Sequence, residues 1–241
     1  MTGSSDSEGL VFTGEMYGAQ LDQLAAVRDV TPERARAIVA RWRQQGYAES
    51  GRLGPGATWV WLTRKGLNAC GLGYTATPPA LSRLAHIRAV TQVRLTLERT
   101  GTYRDANAFW RSERRIRSNH GVGIRQHLPD AEVHWPDGAS LAWAGECWAI
   151  EAELTRKTVA RTAAIMRELL TRTGDYGCAA ADAFVPGRPP RHARVLYLCS
   201  PVALSTVTRA RDELGAALAS RVEIRALLPD HDHGPAKQAA P

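Results

Sequence analysis

Asp130, Glu151 and Glu153 are the residues whose types and spacing could do chemistry in this chain. In CWAIEAEL, residues 147–154, alternation sets Trp148, Ile150, Ala152 and Leu154 on one face of a strand and Ala149, Glu151 and Glu153 on the other. In LPDAEVHW, residues 128–135, the same period opposes Ala131, Val133 and Trp135 to Asp130, Glu132 and His134. Hairpin pairing of the two runs would bring Asp130 beside Glu151 and Glu153. Three carboxylates on one face are oxygen donors of the kind that hold a hard divalent cation. The alternative is the wet face of an antiparallel hairpin, its acids salt-bridged to nearby arginines.

The elements around those residues must position them. A further acid, Glu113, falls on the apolar stripe of a helix predicted over residues 105–119, with Ala106, Phe109, Trp110 and Ile116. An acid on a buried stripe needs a partner or a task, because an unpaired buried carboxylate is costly. Before it, residues 80–99 read as a long helix with Leu84, Ile87, Val90, Val93 and Leu97 at helical spacing. After the Glu-x-Glu, Thr155 is suited to cap a helix whose stripe is Val159, Ala163, Met166 and Leu170. A loop over residues 174–190, a buried strand over 194–199, a helix over 203–218 and a strand over 222–227 complete this half, with residues 140–143 extending the hairpin.

The N-terminal part has a different pattern. Residues 20–27 and 31–45 read as two short helices, the second capped by Thr31, started by Pro32 and ended by Gly46. Ala35, Ile38, Val39 and Trp42 form its inner stripe and leave Arg34, Arg36, Arg41 and Arg43 toward solvent. Strands over 47–50 and 58–62 flank a Gly-rich tip that carries Arg52, and LTRKGL begins a further helix. This order resembles the winged helix-turn-helix domains of bacterial regulators, in which a helix and a wing contact duplex DNA. The alternative is an ordinary small α+β domain whose arginines are a solvated face.

Composition bounds the choices. A chain of 241 residues with 44% hydrophobic residues can form one or two domains. No apolar run is long enough to span a bilayer, and MTGSSDSEG lacks the basic and apolar regions of a signal peptide, so a cytoplasmic protein with no membrane partner is expected. Four cysteines without a Cys-x-x-Cys pair suit free thiols better than disulfides or a zinc knuckle. The net charge of +7 lies in one place: residues 80–128 hold 10 basic and 3 acidic side chains. Arg114 and Arg115 belong to that block, so the acids are preceded by a segment suited to a polyanion.

With these elements assembled, the pattern Glu113, Pro129-Asp130 and Glu151-Ala152-Glu153 resembles the PD-(D/E)xK nuclease superfamily. Joined to the N-terminal module, it is similar to the replication-relaxation family of actinobacterial plasmids and mobile elements. The resemblance implies a mixed α+β or α/β architecture: a winged helix-turn-helix at residues 15–76, a bridging helix at 77–104 and a restriction-endonuclease-like αβββαβ domain with a mixed sheet at 105–228. Residues 1–14 and 229–241 are expected to be disordered. It implies Mg²⁺ or Mn²⁺ held by Asp130 and Glu151, and metal-assisted phosphodiester hydrolysis. Glu153 stands where the motif has Lys; either Glu153 serves as a further ligand or base, or Lys157 reaches back to stabilise the transition state. Expected partners are double-stranded DNA, a second copy of the chain, and replication or transfer proteins. The alternative function is an inactive DNA-binding regulator or replication accessory protein.

Overall fold

The computed structural model describes residues 4–54, 56–120, 126–138, 141–173 and 190–227. The loop expected over 174–190, apart from its last residue, and the expected tail at 229–241 lie outside them. The first described element is helix α1 (Ser4–Glu15), within the stretch 1–14 expected to be disordered. Leu10 and Phe12 are buried and so hold this helix in the core, although its small polar residues hide the signal. There follow β1 (Ala19–Gln20), α2 (Leu21–Val27), α3 (Pro32–Gln44), β2 (Ala48–Gly51), β3 (Trp59–Leu62) and α4 (Arg64–Ala69). Thr31 caps α3 by accepting from Arg34 N at 3.3 Å, as its sequence predicts. The strands form an antiparallel sheet in the order β1-β3-β2. Gly66 lies so close to the hairpin that a Cβ there would be 2.0 Å from the Tyr47 carbonyl oxygen.

A 3₁₀ turn (Leu81–Arg83) leads into α5 (Leu84–Glu98) and α6 (Gly101–Asp105). The next segment corrects the sequence reading. Residues 105–119 are not one helix: Asp105 ends α6, Phe109–Ser112 form strand β4, and helix resumes as α7 (Glu113–His120). Apolar residues at 106, 109, 110 and 116 fit a helical period, but β-pairing with the next strand outweighs that local preference. That strand is β5 (Ala131–His134), followed by β6 (Cys147–Glu153), α8 (Val159–Thr171), β7 (Arg194–Cys199), α9 (Pro201–Asp212), α10 (Ala216–Ala219) and β8 (Val222–Ala226). Residues 141–145 turn instead of extending the hairpin.

The second sheet is mixed, five-stranded and ordered β4-β5-β6-β7-β8. β4, β5 and β6 run antiparallel in sequence, whereas β7 and β8 join parallel through α8 and α9. Alternation in β6 divides its side chains as predicted: Trp148, Ile150 and Ala152 join one apolar cluster, and Ala149 joins another with Met166, Leu169 and Tyr197. Both faces are buried. The first cluster is continuous with the N-terminal half, since Leu10, Phe12 and Trp42 belong to it together with Trp110 and Ile150.

Candidate acidic centre

Strand register builds the centre. Ser112 pairs with Ala131, and Ala131 with Ile150, so the residues one step beyond are Glu113, Asp130 and Glu151, side by side on three adjoining strand ends. The Glu113 N–H donates to the Asp130 carbonyl at 3.0 Å, which extends the ladder into the first residue of α7. Glu151 is in turn the parallel partner of Tyr197 on β7, and Glu153 of Cys199. The row exists because β4 and β5 stop at the same level and β6 runs on.

Asp130 is held at both oxygens. Oδ2 accepts from the Ala152 backbone N–H at 2.8 Å, while Oδ1 lies 2.7 Å from His86 Nε2. Glu151 is 4% exposed, and its Oε1 lies 2.7 Å from His127 Nε2. Burial raises the Glu151 carboxyl above the usual carboxylate value; the Asp130 charge adds to the rise, and His127 only partly opposes it. Burial draws both histidines down, but the adjacent carboxylates outweigh it, and each ends above the ordinary imidazole value. Glu153 is 5% exposed and forms an ion pair with Lys157. Glu113 is clamped by Arg83 at 2.7 Å and Arg117 at 2.6 Å. Between Glu113, His86 and Asp130 lies a cavity of about 20 Å³, enough for one water molecule.

Lys157 therefore reaches back to the Glu-x-Glu strand, but not from a helical turn. Thr158, not Thr155, caps α8 by accepting from Arg161 N at 3.2 Å, and Lys157 sits in the preceding loop. The acids are not a wet hairpin face either. Glu132, Glu151 and Glu153 are all buried, Glu132 completely.

Glu132 belongs to a different group. Arg111 at 3.2 Å, Arg191 at 2.8 Å, His192 at 2.9 Å and His134 at 3.2 Å surround it. These bonds overcome burial and hold the Glu132 carboxyl far below the usual carboxylate range. Among the described residues, Glu132, His134 and Cys147 are the set whose ligand atoms come within 4.8 Å of one another. Its chemistry nevertheless disfavours a cation. Two guanidiniums already neutralise Glu132, and burial with the Glu132 charge pushes the Cys147 thiol up, away from the thiolate that would ligate. Asp130, Glu151 and Glu153 are not within that span, yet they offer the hard oxygen donors that Mg²⁺ or Mn²⁺ takes. Each is engaged by a basic side chain, Asp130 by His86, Glu151 by His127 and Glu153 by Lys157, which a cation would have to displace.

The arginines separate into two kinds. Arg34, Arg36, Arg41, Arg43 and Arg52 are exposed, on α3 and the hairpin tip. Arg114 is 8% exposed, donates to the carbonyls of Gly14 and Thr75 at 2.6 Å, and lies over the Tyr17 and Tyr74 rings. That places it in the core between the halves, not on a DNA-facing surface as its neighbours in sequence suggested. Arg115 is half-exposed and pairs with Glu15 at 3.1 Å.

Sequence reasoning missed His86, His127 and Tyr197. His86 had a signal: it is four before Val90 and seven before Val93, on the inner face of α5. His127 had none, because it reaches Glu151 from irregular chain.

No protein-family model, no curated protein and no solved structure matches the chain. No helix among the described residues is long and apolar enough to cross a membrane, and Cys70, Cys147 and Cys199 are free thiols.

Proposed function

We propose that this protein binds duplex DNA through its N-terminal module and hydrolyses phosphodiesters at a divalent-metal centre on Asp130, Glu151 and Glu153. The observation that carries the reading is the row Glu113, Asp130, Glu151 on three adjoining strand ends, with Lys157 drawn onto Glu153. The element order supports it: apart from α7, which intervenes between β4 and β5, the succession α5-α6, β4, β5, β6, α8, β7 resembles the αβββαβ order of a restriction-endonuclease-like core. For the N-terminal half, the order α1, β1, α2, α3, β2, β3 and the exposed arginines on α3 support a winged helix-turn-helix.

In this reading Asp130 and Glu151 hold Mg²⁺ or Mn²⁺, and Glu153 is a further ligand or base. The ion, when bound, lowers the pKa of water and offsets charge on phosphate. The chain's own residues do the rest. Ala152 N–H fixes the Asp130 carboxylate, Lys157 supplies positive charge where the motif's lysine is missing, and Arg83 and Arg117 hold Glu113 in line. Plasmid or mobile-element replication, relaxation or transfer, in the cytoplasm, is the setting that the resemblance to the replication-relaxation family suggests.

One observation favours a second reading, an inactive DNA-binding regulator: each carboxylate is already engaged by a base. Plasmid nicking with Mg²⁺ or Mn²⁺ separates the two. The enzyme reading predicts cleavage that Asp130→Ala and Glu151→Ala abolish. DNA binding without cleavage by the wild type supports the regulator, and cleavage that survives both substitutions excludes this centre.

A further inference from the structure

Tyr197 is the parallel register partner of Glu151, and such partners carry their side chains to the same face. α8 and α9 cover that face and leave Tyr197 1% exposed. Its ring packs in the apolar cluster with Met166, Leu169 and Val207. The hydroxyl is buried as well, and it has no hydrogen-bond partner. A buried hydroxyl left unmatched costs about 1–3 kcal/mol, a cost that phenylalanine in the same place would avoid. A phenol is protonated at neutral pH and so has a proton to donate. A hydroxyl without a partner thus belongs to the register neighbour of Glu151, while the three carboxylates are each engaged by another group: Asp130 by His86, Glu151 by His127 and Glu153 by Lys157.

We propose that Tyr197 is a positioning residue of the acidic centre: its hydroxyl donates to the Glu151 carboxylate when a divalent cation takes that carboxylate from His127. The inference rests on the metal reading given above. It accounts for a polar atom buried where packing alone calls for Phe. It also supplies the neighbouring hydrogen bond that an ion-binding carboxylate needs to hold its orientation.

The test is thermal unfolding of the full chain with and without Mn²⁺, for the wild type, Tyr197→Phe and Glu151→Gln. Without metal, Tyr197→Phe should melt at or above the wild-type temperature, since it removes an unmatched donor and keeps the ring. With metal, its dissociation constant for Mn²⁺ should rise about 10–100-fold, the usual effect of losing such a neighbour. Wild-type metal affinity in Tyr197→Phe overturns the proposal while leaving the metal reading intact. No Mn²⁺ effect on the wild type overturns both. If Tyr197→Phe does not fold, wild-type protein labelled at the tyrosine Cζ decides: Mg²⁺ should move a buried Cζ resonance in the wild type and not in Glu151→Gln. An unmoved spectrum contradicts the proposal.

Discussion

His127 places its Nε2 2.7 Å from Oε1 of Glu151, the carboxylate that burial drives toward its protonated form. Each group limits the other's cost of being inside. Replacing His127 with Ala leaves Glu151 buried without that partner and is expected to cost roughly 1–3 kcal/mol of stability. Glu151→Gln in the same background should return part of the loss. A double-mutant cycle by urea unfolding measures the coupling, expected at about 0.5–3 kcal/mol; strict additivity would show that the pair carries no interaction energy.

Glu132 sets an acid limit on stability. Its folded pKa lies below the unfolded value of 4.5, so its contribution is complete above that pH and is lost as pH falls toward the folded value. Unfolding measured from about pH 7 to about pH 3 should show wild-type stability falling steeply at the acid end. Glu132→Gln, which strands Arg111 and Arg191, should be less stable at neutral pH by roughly 3–5 kcal/mol and flatter in acid. Parallel curves for the two proteins would remove Glu132 from this role.

Arg34 and Arg43 are exposed, whereas Arg114 is buried against carbonyls and tyrosine rings. Alanine at the first two should leave the melting temperature unchanged and weaken duplex binding. The slope of log K against log salt should become shallower by about 0.9 for each phosphate that the variant no longer neutralises. Arg114→Ala should instead destabilise the fold by roughly 1–3 kcal/mol. Fluorescence anisotropy over a salt series, with melting curves alongside, distinguishes the two effects.

Gly66→Ala tests the N-terminal packing. The added methyl meets the Tyr47 carbonyl, a backbone atom that cannot rotate away. A loss of at least about 1–3 kcal/mol is expected by thermal unfolding. An unchanged melting temperature would mean that α4 shifts freely relative to the β2–β3 hairpin.

Much of this fold was legible from short-range pattern. The caps of α3, the alternation in β6 and the apolar run of β7 are local signals, and each element appears where its residues predict. β4 was not legible, because its residues also satisfy a helical period and only pairing with β5 decides between the two. α1 was hidden for another reason: its anchors Leu10 and Phe12 are few among small polar residues. At the centre, the sequence placed Asp130 and Glu151 together correctly through strand pairing. It could not supply His86, His127 or Tyr197, since each comes from a separate element and only the folded chain brings them to the acids. Glu132, on the same face in sequence, proved to belong to a neutralised cluster with Arg111 and Arg191.

The proposed function requires the acidic row, and not the Glu132–His134–Cys147 group, to hold a divalent cation. Calorimetric titration of the full chain with Mn²⁺ tests it, using the wild type, Asp130→Asn and Cys147→Ser. Binding by the wild type, loss of that binding in Asp130→Asn and its retention in Cys147→Ser are expected. Binding that persists in Asp130→Asn, or that disappears in Cys147→Ser, would contradict the proposed function.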